Sequence, residues 1–420
     1  MITTDIALQP CSEAGPDDAK ALLIAYHYRS ANESGAARPA RFAKYLGKAG
    51  MPVHVVTNGD PSDSGPRVSC VCAGMEAVRS ITAASRLAYH IERRLLPYNE
   101  HLPWVPYAVA AGSEIIRRNP IASILSTSPP LATHFAAWEL KRRFRLRWVA
   151  DFRDPLSDNP FRDRRFTKPY DRAIERFLFR SADILIANTD TGASVWRKRY
   201  PQWANKIRVI WNGYDPDDRI SAAPISERRW SALTHVGALY DRRRPTVLLE
   251  SLVRLIGSGR LNPQTFRLRL VGPLDTSANC VDQPPFSTLI GLGCLYYNGE
   301  SVPQSEAREE IATADRLLIL DVNERGSSLQ VPAKIFEYIR VGRPILAFTA
   351  SGSPTERILA GSGVPYAAVS VTAPVEAIDN AVSAFLQQPT HPVQPSAWFW
   401  QQFDGCAQAE TLRAILEQRS

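Results

Sequence analysis

Cysteine is scarce. Six residues in 420 cannot form the dense disulfide framework of a small secreted scaffold, and the count suits a reducing compartment. Cys70 and Cys72 alternate along one expected strand, Arg67–Ala73, as packing residues, and no second cluster stands at metal spacing, so no zinc site is expected. No run of about 18 apolar residues occurs, so no helix long enough to span a bilayer is expected. Met1–Ala19 is acidic and polar and lacks the basic-then-apolar order of a secretory leader, which points to a cytoplasmic protein. No G-x-G-x-x-G follows an expected strand, which argues against a dehydrogenase. Zinc-finger spacing, an aromatic RNA-binding strand and a predominantly basic helix are all missing, so nucleic acid is not an expected partner. No internal repeat or low-complexity tract is evident.

Two cores' worth of ordinary globular sequence remain. Hydrophobic residues make up 45% of the chain and charged residues 22%, and 420 residues exceed what one core holds. The net charge of +8 suits an acidic partner such as a nucleotide diphosphate or an anionic lipid surface. Much of the excess is Arg in short clusters: Lys141–Arg143, Arg162–Arg165 and Arg242–Arg244. Taken singly, these are ordinary solvated surface.

The pattern alternates strand and helix. Ala21–Tyr26 is a continuous apolar run, Ala37–Ala49 an amphipathic helix stopped at Gly50, and Pro52–Thr57 the next strand, a βαβ unit. The rhythm continues to Ile207–Trp211, breaks over Asp215–Glu227, and resumes with Ser231–Val236, Pro245–Ile256, Phe266–Val271, Arg316–Leu320, Val331–Val341 and Pro344–Phe348. The expected organisation is an N-terminal segment 1–19, a Rossmann-like domain 20–214, a linker 215–228, a second Rossmann-like domain 229–392, and a C-terminal helix 393–420 crossing back to the first domain. This is an α/β fold of two Rossmann-like domains facing each other across a cleft, with ligands outside the carboxyl ends of the strands.

The segment richest in chemistry is Gly326–Pro344, GSSLQVPAKIFEYIRVGRP. A Gly-Ser-Ser loop with Ser327 and Ser328 leads into an expected helix with Pro332 in its first turn, a place that can receive a diphosphate on backbone N–H groups. Lys334 and Glu337, three residues apart, would share a face about 4.5 Å apart along the axis. They suit a phosphate and a ribose diol, or equally a surface ion pair.

This segment resembles the donor-binding stretch of GT-B glycosyltransferases, in particular the family 4-like group of bacterial surface polysaccharide synthesis, whose members read roughly PxKxxEYLAAGKPIL. The resemblance implies that Glu337 holds the nucleotide ribose. It also marks a departure: the position of the group's first glutamate, which contacts the donor sugar, is Leu329 here, with Glu324 five residues earlier. In the same family the loop holding Gly35 approaches the donor diphosphate, with Arg38 a contact to acceptor or phosphate. Gly237 and the basic residues Arg242 and Arg243 before a helix contact the diphosphate, offsetting charge on the departing nucleotide.

Ser126–His134 and Trp148–Pro155 follow expected strands and mark the acceptor rim, with Asp151, Arg153 and Asp154 as catalytic candidates and His134 on the acceptor side. A rim carboxylate can deprotonate an acceptor hydroxyl, and the same acids can instead brace Arg153 in an ion-pair network. His134 can equally be helix packing. Asn212–Asp215 resembles a turn that ends the first lobe.

The resemblance implies transfer of a sugar from a UDP- or GDP-linked donor to a lipid-linked or oligosaccharide acceptor, without a metal ion or other cofactor. Asp215-Pro216-Asp217 matches a metal-binding D-x-D by letter only. The basic and aromatic segments Arg86–Trp104 and Lys141–Trp148 suggest peripheral contact with the inner face of the plasma membrane. A GT-B sugar-nucleotide epimerase and a non-catalytic nucleotide-sugar-binding relative are the competing readings.

Overall fold

The structure, a computed structural model, describes residues 20–28, 35–59, 67–73, 101–157, 159, 167–224, 228–239, 243–273, 281–321 and 329–418. The chain forms two compact units, Met1–Asp215 with Asp404–Ser420, and Pro216–Phe403.

The first unit is built on seven parallel strands: β1 (Lys20–Ile24), β2 (Val53–Thr57), β3 (Val68–Cys72), β4 (Ile121–Ser128), β5 (Arg147–Phe152), β6 (Ile184–Ala187) and β7 (Ile207–Val209). Their order is β3-β2-β1-β4-β5-β6-β7. The chain therefore reverses direction across the sheet between β1 and β4, the switch point where such folds open a crevice at the strand carboxyl ends. Helices α1 (Ala37–Lys48), α2 (Val105–Arg118), α3 (Ala132–Phe144), α4 (Lys168–Ser181) and α5 (Asp190–Arg199) accompany the strands. The two-residue period of β1 supplies two cores. Leu22 and Ile24 join the side lined by α2 and α3, while Ala21, Leu23 and Ala25 join the side lined by α1. A strand covered on both faces needs such an unbroken apolar run.

The second unit repeats the plan with β8 (Ser231–Val236), β9 (Phe266–Pro273), β10 (Leu295–Gly299), β11 (Arg316–Leu320), β12 (Ile345–Phe348) and β13 (Tyr366–Val369). The order β10-β9-β8-β11-β12-β13 puts its switch point between β8 and β11. Its helices are α6 (Thr246–Gly257), α7 (Phe286–Gly291), α8 (Gln304–Thr313), α9 (Ile335–Val341), α10 (Pro354–Ser362), α11 (Val375–Leu386) and α12 (Ala397–Phe403). The last helix, α13 (Gly405–Glu417), belongs to the first unit and packs Ala409, Leu412, Ile415 and Leu416 into the core beside Phe42 and Leu46 of α1. The return to the first unit thus begins at Asp404, and α12 stays with the second.

The helix expected over Val331–Val341 begins at Ile335. Pro332 disfavours helical backbone at Val331, and Lys334 is the cap rather than a residue of the helical face. Among the described residues, no helix is long and apolar enough to cross a membrane.

Candidate functional site

In the second unit, β8 is followed by Gly237, whose φ of +123° lies in the region that glycine tolerates. Gly237 donates its N–H to the Val271 carbonyl (2.7 Å), and Leu239 donates to Pro273 (2.8 Å), so the turn after β8 lies along the end of β9. There Gly272 has a φ of +132°. A Cβ on it would come within 2.7 Å of the Gly237 carbonyl, so two backbones meet where no side chain fits. A Cβ on Gly237 would stand 2.5 Å from Lys334 Nζ. The lysine therefore lies directly on the glycine turn, although 97 residues separate the two in sequence.

The anchoring of Lys334 continues into β8. Its Nζ lies 3.1 Å from His235 Nε2, and His235 Nδ1 lies 3.0 Å from the Leu318 carbonyl of β11. These contacts join β8 and β11, the two strands of the switch point. Burial, then the nearby Arg243 charge, lowers the Lys334 pKa to about 7, with Glu337 opposing. Tyr338 accepts the Val236 N–H on its phenol oxygen at 2.9 Å, fixing α9 to the same strand end. Glu337 is 33% exposed, and one of its carboxylate oxygens lies 3.9 Å from Arg308 Nη2. Leu329 is 6% exposed and presents no polar group.

The structure thus brings Gly237, Arg243 and Lys334 to one place, with Glu337 one helical turn on. His235 was not singled out from the sequence. Its signal was a histidine near the end of the expected strand Ser231–Val236, two residues before the glycine turn. Arg242, Ser327, Ser328 and Glu324 lie outside the described residues, as do Arg162–Arg165 and most of Arg86–Trp104.

In the first unit several candidates take different roles. Arg38 is 3% exposed. It donates from Nε to Asp151 Oδ2 (3.0 Å), from Nη2 to Asp151 Oδ1 (2.8 Å) and to the Ile210 carbonyl (2.8 Å), and from Nη1 to the Trp211 carbonyl (2.7 Å). Every arm of the guanidinium is engaged inside the protein, so Arg38 is a brace and not a contact for acceptor or phosphate. Asp151 is 0% exposed and also accepts from Thr127 Oγ1 at 2.9 Å. Burial pulls its pKa up, but the charge and hydrogen bonds of Arg38 and the Thr127 hydroxyl bring it below the usual carboxylate value. A carboxylate held this way is a poor proton acceptor, and the role of base does not fit it. It braces Arg38, whereas the sequence had offered Arg153 as its partner.

Arg153 holds three backbone carbonyls, those of Ser128 (2.8 Å), Pro129 (2.7 Å) and Gly35. Ser128–Pro129 and Pro129–Pro130 are cis. Gly35 follows β1, and a Cβ on it would lie 2.9 Å from Arg153 Nη1. This arginine therefore ties the loops after β1 and β4 across the switch point, a task of shaping the rim. Asp154 beside it is half-buried.

His134 is 0% exposed, with Nδ1 2.8 Å from Ser126 Oγ and its ring 4.3 Å from that of Phe152. Burial lowers its pKa to about 3. It is a neutral packing residue, and the acceptor-side role is withdrawn. The Asn212–Asp215 turn is tied to α1: Arg41 donates to the Gly213 carbonyl and to Asn212 Oδ1 (both 2.8 Å), and Lys44 pairs with Asp215 at 2.8 Å. Asp215 is therefore taken up by an internal ion pair.

Residues 38–218 match the family model described as Glycosyltransferase Family 4. No curated protein matches the chain by sequence. Among solved structures, the fold is similar to a sucrose-phosphate synthase from Thermosynechococcus elongatus, at 16% identity and a TM-score of 0.65 over 94% of this chain and 98% of that one. It is also similar to HepE of Anabaena in complex with UDP and glucose, at 15% identity and a TM-score of 0.64 over 95% and 99%. A UDP-forming trehalose-phosphate synthase from Burkholderia xenovorans, in complex with glucose-6-phosphate, gives 12% and 0.64 over 95% and 100%.

Proposed function

We propose that this chain, a GT-B protein of the glycosyltransferase family 4 type, moves a sugar from a nucleotide-diphosphate donor bound in its second unit to a saccharide or lipid-linked acceptor. The observation that carries the reading is the meeting of Lys334, Arg243 and the side-chain-free turn Gly237 at the switch point of β8 and β11. Two cations beside bare backbone suit a diphosphate and can offset the charge that grows on a departing nucleotide. In this reading side chains rather than a metal ion hold the diphosphate, and Glu337 accepts from the ribose. UDP is the favoured nucleotide, since HepE was solved with UDP and glucose. Asp154 is the carboxylate proposed at the acceptor rim, with Arg153 and Gly35 shaping it.

A lipid-linked acceptor of cell-surface polysaccharide synthesis, reached from the cytoplasmic face of the membrane, is supported by the surface of α4. Its acids Asp171 and Glu175 are buried at 1% and 0% exposure. Arg172, Arg176 and Arg180 stand outward at four-residue spacing beside Phe177, which is 38% exposed. Like charges at that spacing repel, and an anionic bilayer would relieve the repulsion.

Thermal unfolding with UDP, GDP, ADP and dTDP tests the donor assignment. A rise in Tm with UDP or GDP that shrinks in Lys334→Met is expected, because a ligand that binds only the native state stabilises it. No rise with any nucleotide overturns the reading. Epimerised sugar nucleotide formed without acceptor overturns the transferase assignment.

A further inference from the structure

His235 is a polar group almost wholly enclosed, 1% exposed, in the middle of the second unit. A backbone carbonyl only accepts, so the 3.0 Å contact with Leu318 places the hydrogen on Nδ1. Nε2 is then left with its lone pair, and it faces Lys334 Nζ at 3.1 Å. An ammonium only donates, so the two fit without either changing its form. Burial, reinforced by the Lys334 and Arg243 charges, keeps the His235 pKa well below its ordinary value, so the ring stays a neutral acceptor. Gly237 also borders Nζ, where even a methyl group would come within 2.5 Å. A side chain with four rotatable bonds is thus held at its tip by a ring nitrogen and lies on a backbone turn.

We infer that His235 is a positioning residue for nucleotide binding: its Nε2 fixes the Lys334 ammonium against the Gly237 turn, leaving that ammonium's remaining hydrogens to a ligand diphosphate. This rests on the nucleotide-sugar reading above. The chain of contacts runs from the Leu318 carbonyl through the imidazole to the ammonium, and it makes the strand pair β8–β11 the support of the cation. Without the ring acceptor, Lys334 must be ordered by the ligand itself, and ordering one long side chain lowers affinity roughly 3–10-fold.

Among the described residues, the charged and titratable groups facing Lys334 are His235 from β8, Arg243 from the loop after β8 and Glu337 from α9. With Arg243 near and the site partly buried, Lys334 gives up its proton from about pH 7 upward. A bound diphosphate favours the ammonium and brings the proton back. Nucleotide affinity is therefore expected to fall as pH rises above about 7, with proton uptake on binding.

The test is calorimetric titration of the full chain with UDP and GDP at pH 6.5 and 8.5, for the wild type and three substitutions. His235→Asn keeps a donor for Leu318 and loses the outer acceptor, whereas His235→Gln keeps an acceptor within reach of Lys334. The expected result is about 3–10-fold weaker binding in His235→Asn, the size of that ordering cost, and near-recovery in His235→Gln. It also includes no further loss when His235→Asn is added to Lys334→Met, and proton uptake at pH 8.5 that vanishes in Lys334→Met. If His235→Asn weakens binding equally in the Lys334→Met background, or leaves wild-type affinity unchanged, His235 does not act through Lys334 and the inference is overturned. A wild type that binds neither nucleotide overturns the nucleotide reading instead, a separate outcome.

Discussion

The two oxygens of Asp151 take hydrogens from Arg38 side by side, 2.8 and 3.0 Å away, with neither residue more than 3% exposed. Such a pair is nearly neutral against well-packed apolar residues, but removing one partner strands a buried charge. Arg38→Met is therefore expected to cost about 3–5 kcal/mol of unfolding free energy, read from urea denaturation. Loss of transfer activity with unchanged stability would instead restore Arg38 to the active site. The residue types at the strand ends were legible in the sequence, but their direction was not. Asp151 and Asp154 are three residues apart, yet one is the last-but-one residue of β5 and fully enclosed, while the other lies beyond the strand end and is half-buried. Where the strand ends settles this, since β5 is covered on both faces up to Phe152 and Asp154 lies past that cover. Lys334 was chosen from one motif and Gly237 with Arg243 from another, and the convergence of the two follows from the fold. The partner that holds Lys334 was not, because a histidine in a buried strand looks like any satisfied core histidine.

At the scale of elements, α13 closes the apolar face of the first unit although it comes from the far end of the chain. Leu412 is 0% exposed and Leu416 2%, in the same cluster as Phe42 and Leu46 of α1 and Val53 and Val55 of β2. Leu412→Ala should destabilise the first unit by about 2–5 kcal/mol, the cost of lost burial plus a residual cavity. Amide hydrogen exchange in α1 and β1 is expected to speed up with it, and no change there would show that α13 is only a surface cover. The strands and most helices were legible because continuous apolar runs and 3.6-residue stripes are local signals. The start of α9 was not. Pro is tolerated in a first helical turn, so only the backbone taken up by Val331 and Pro332 decides that the helix waits until Ile335. That delay turns Lys334 from a helix-face residue into the cap lying on Gly237.

At the scale of the molecule, three buried histidines among the described residues make stability depend on pH. Burial lowers His134 to about 3; burial and then the Lys20 charge lower His54 to about 4; and His235 is held well below its ordinary value. In each case the folded-state pKa is depressed. Below about pH 6.5 the unfolded chain therefore takes protons that the folded chain refuses, and stability falls as pH falls. His134 contributes a loss of roughly 2 kcal/mol between pH 6.5 and 5. The urea midpoint should drop accordingly between pH 7.5 and 5, and His134→Phe should flatten part of that slope. An unchanged slope would show that His134 takes up its proton without unfolding.

The sequence by itself determined that there are two βα series, that each buries a parallel sheet on both faces, and that a Lys-x-x-Glu segment resembling a nucleotide grip precedes Gly342. These are properties of local periodicity and spacing, which survive without knowledge of neighbours. Only the tertiary structure decided which charges face outward and which brace the interior. Arg38 and Asp151 are 113 residues apart, and Lys334 and His235 are 99 apart. Such pairs exist only because parallel strands and their crossovers bring distant carboxyl ends together. The energy of a charge depends on burial and partners, and chain order specifies neither.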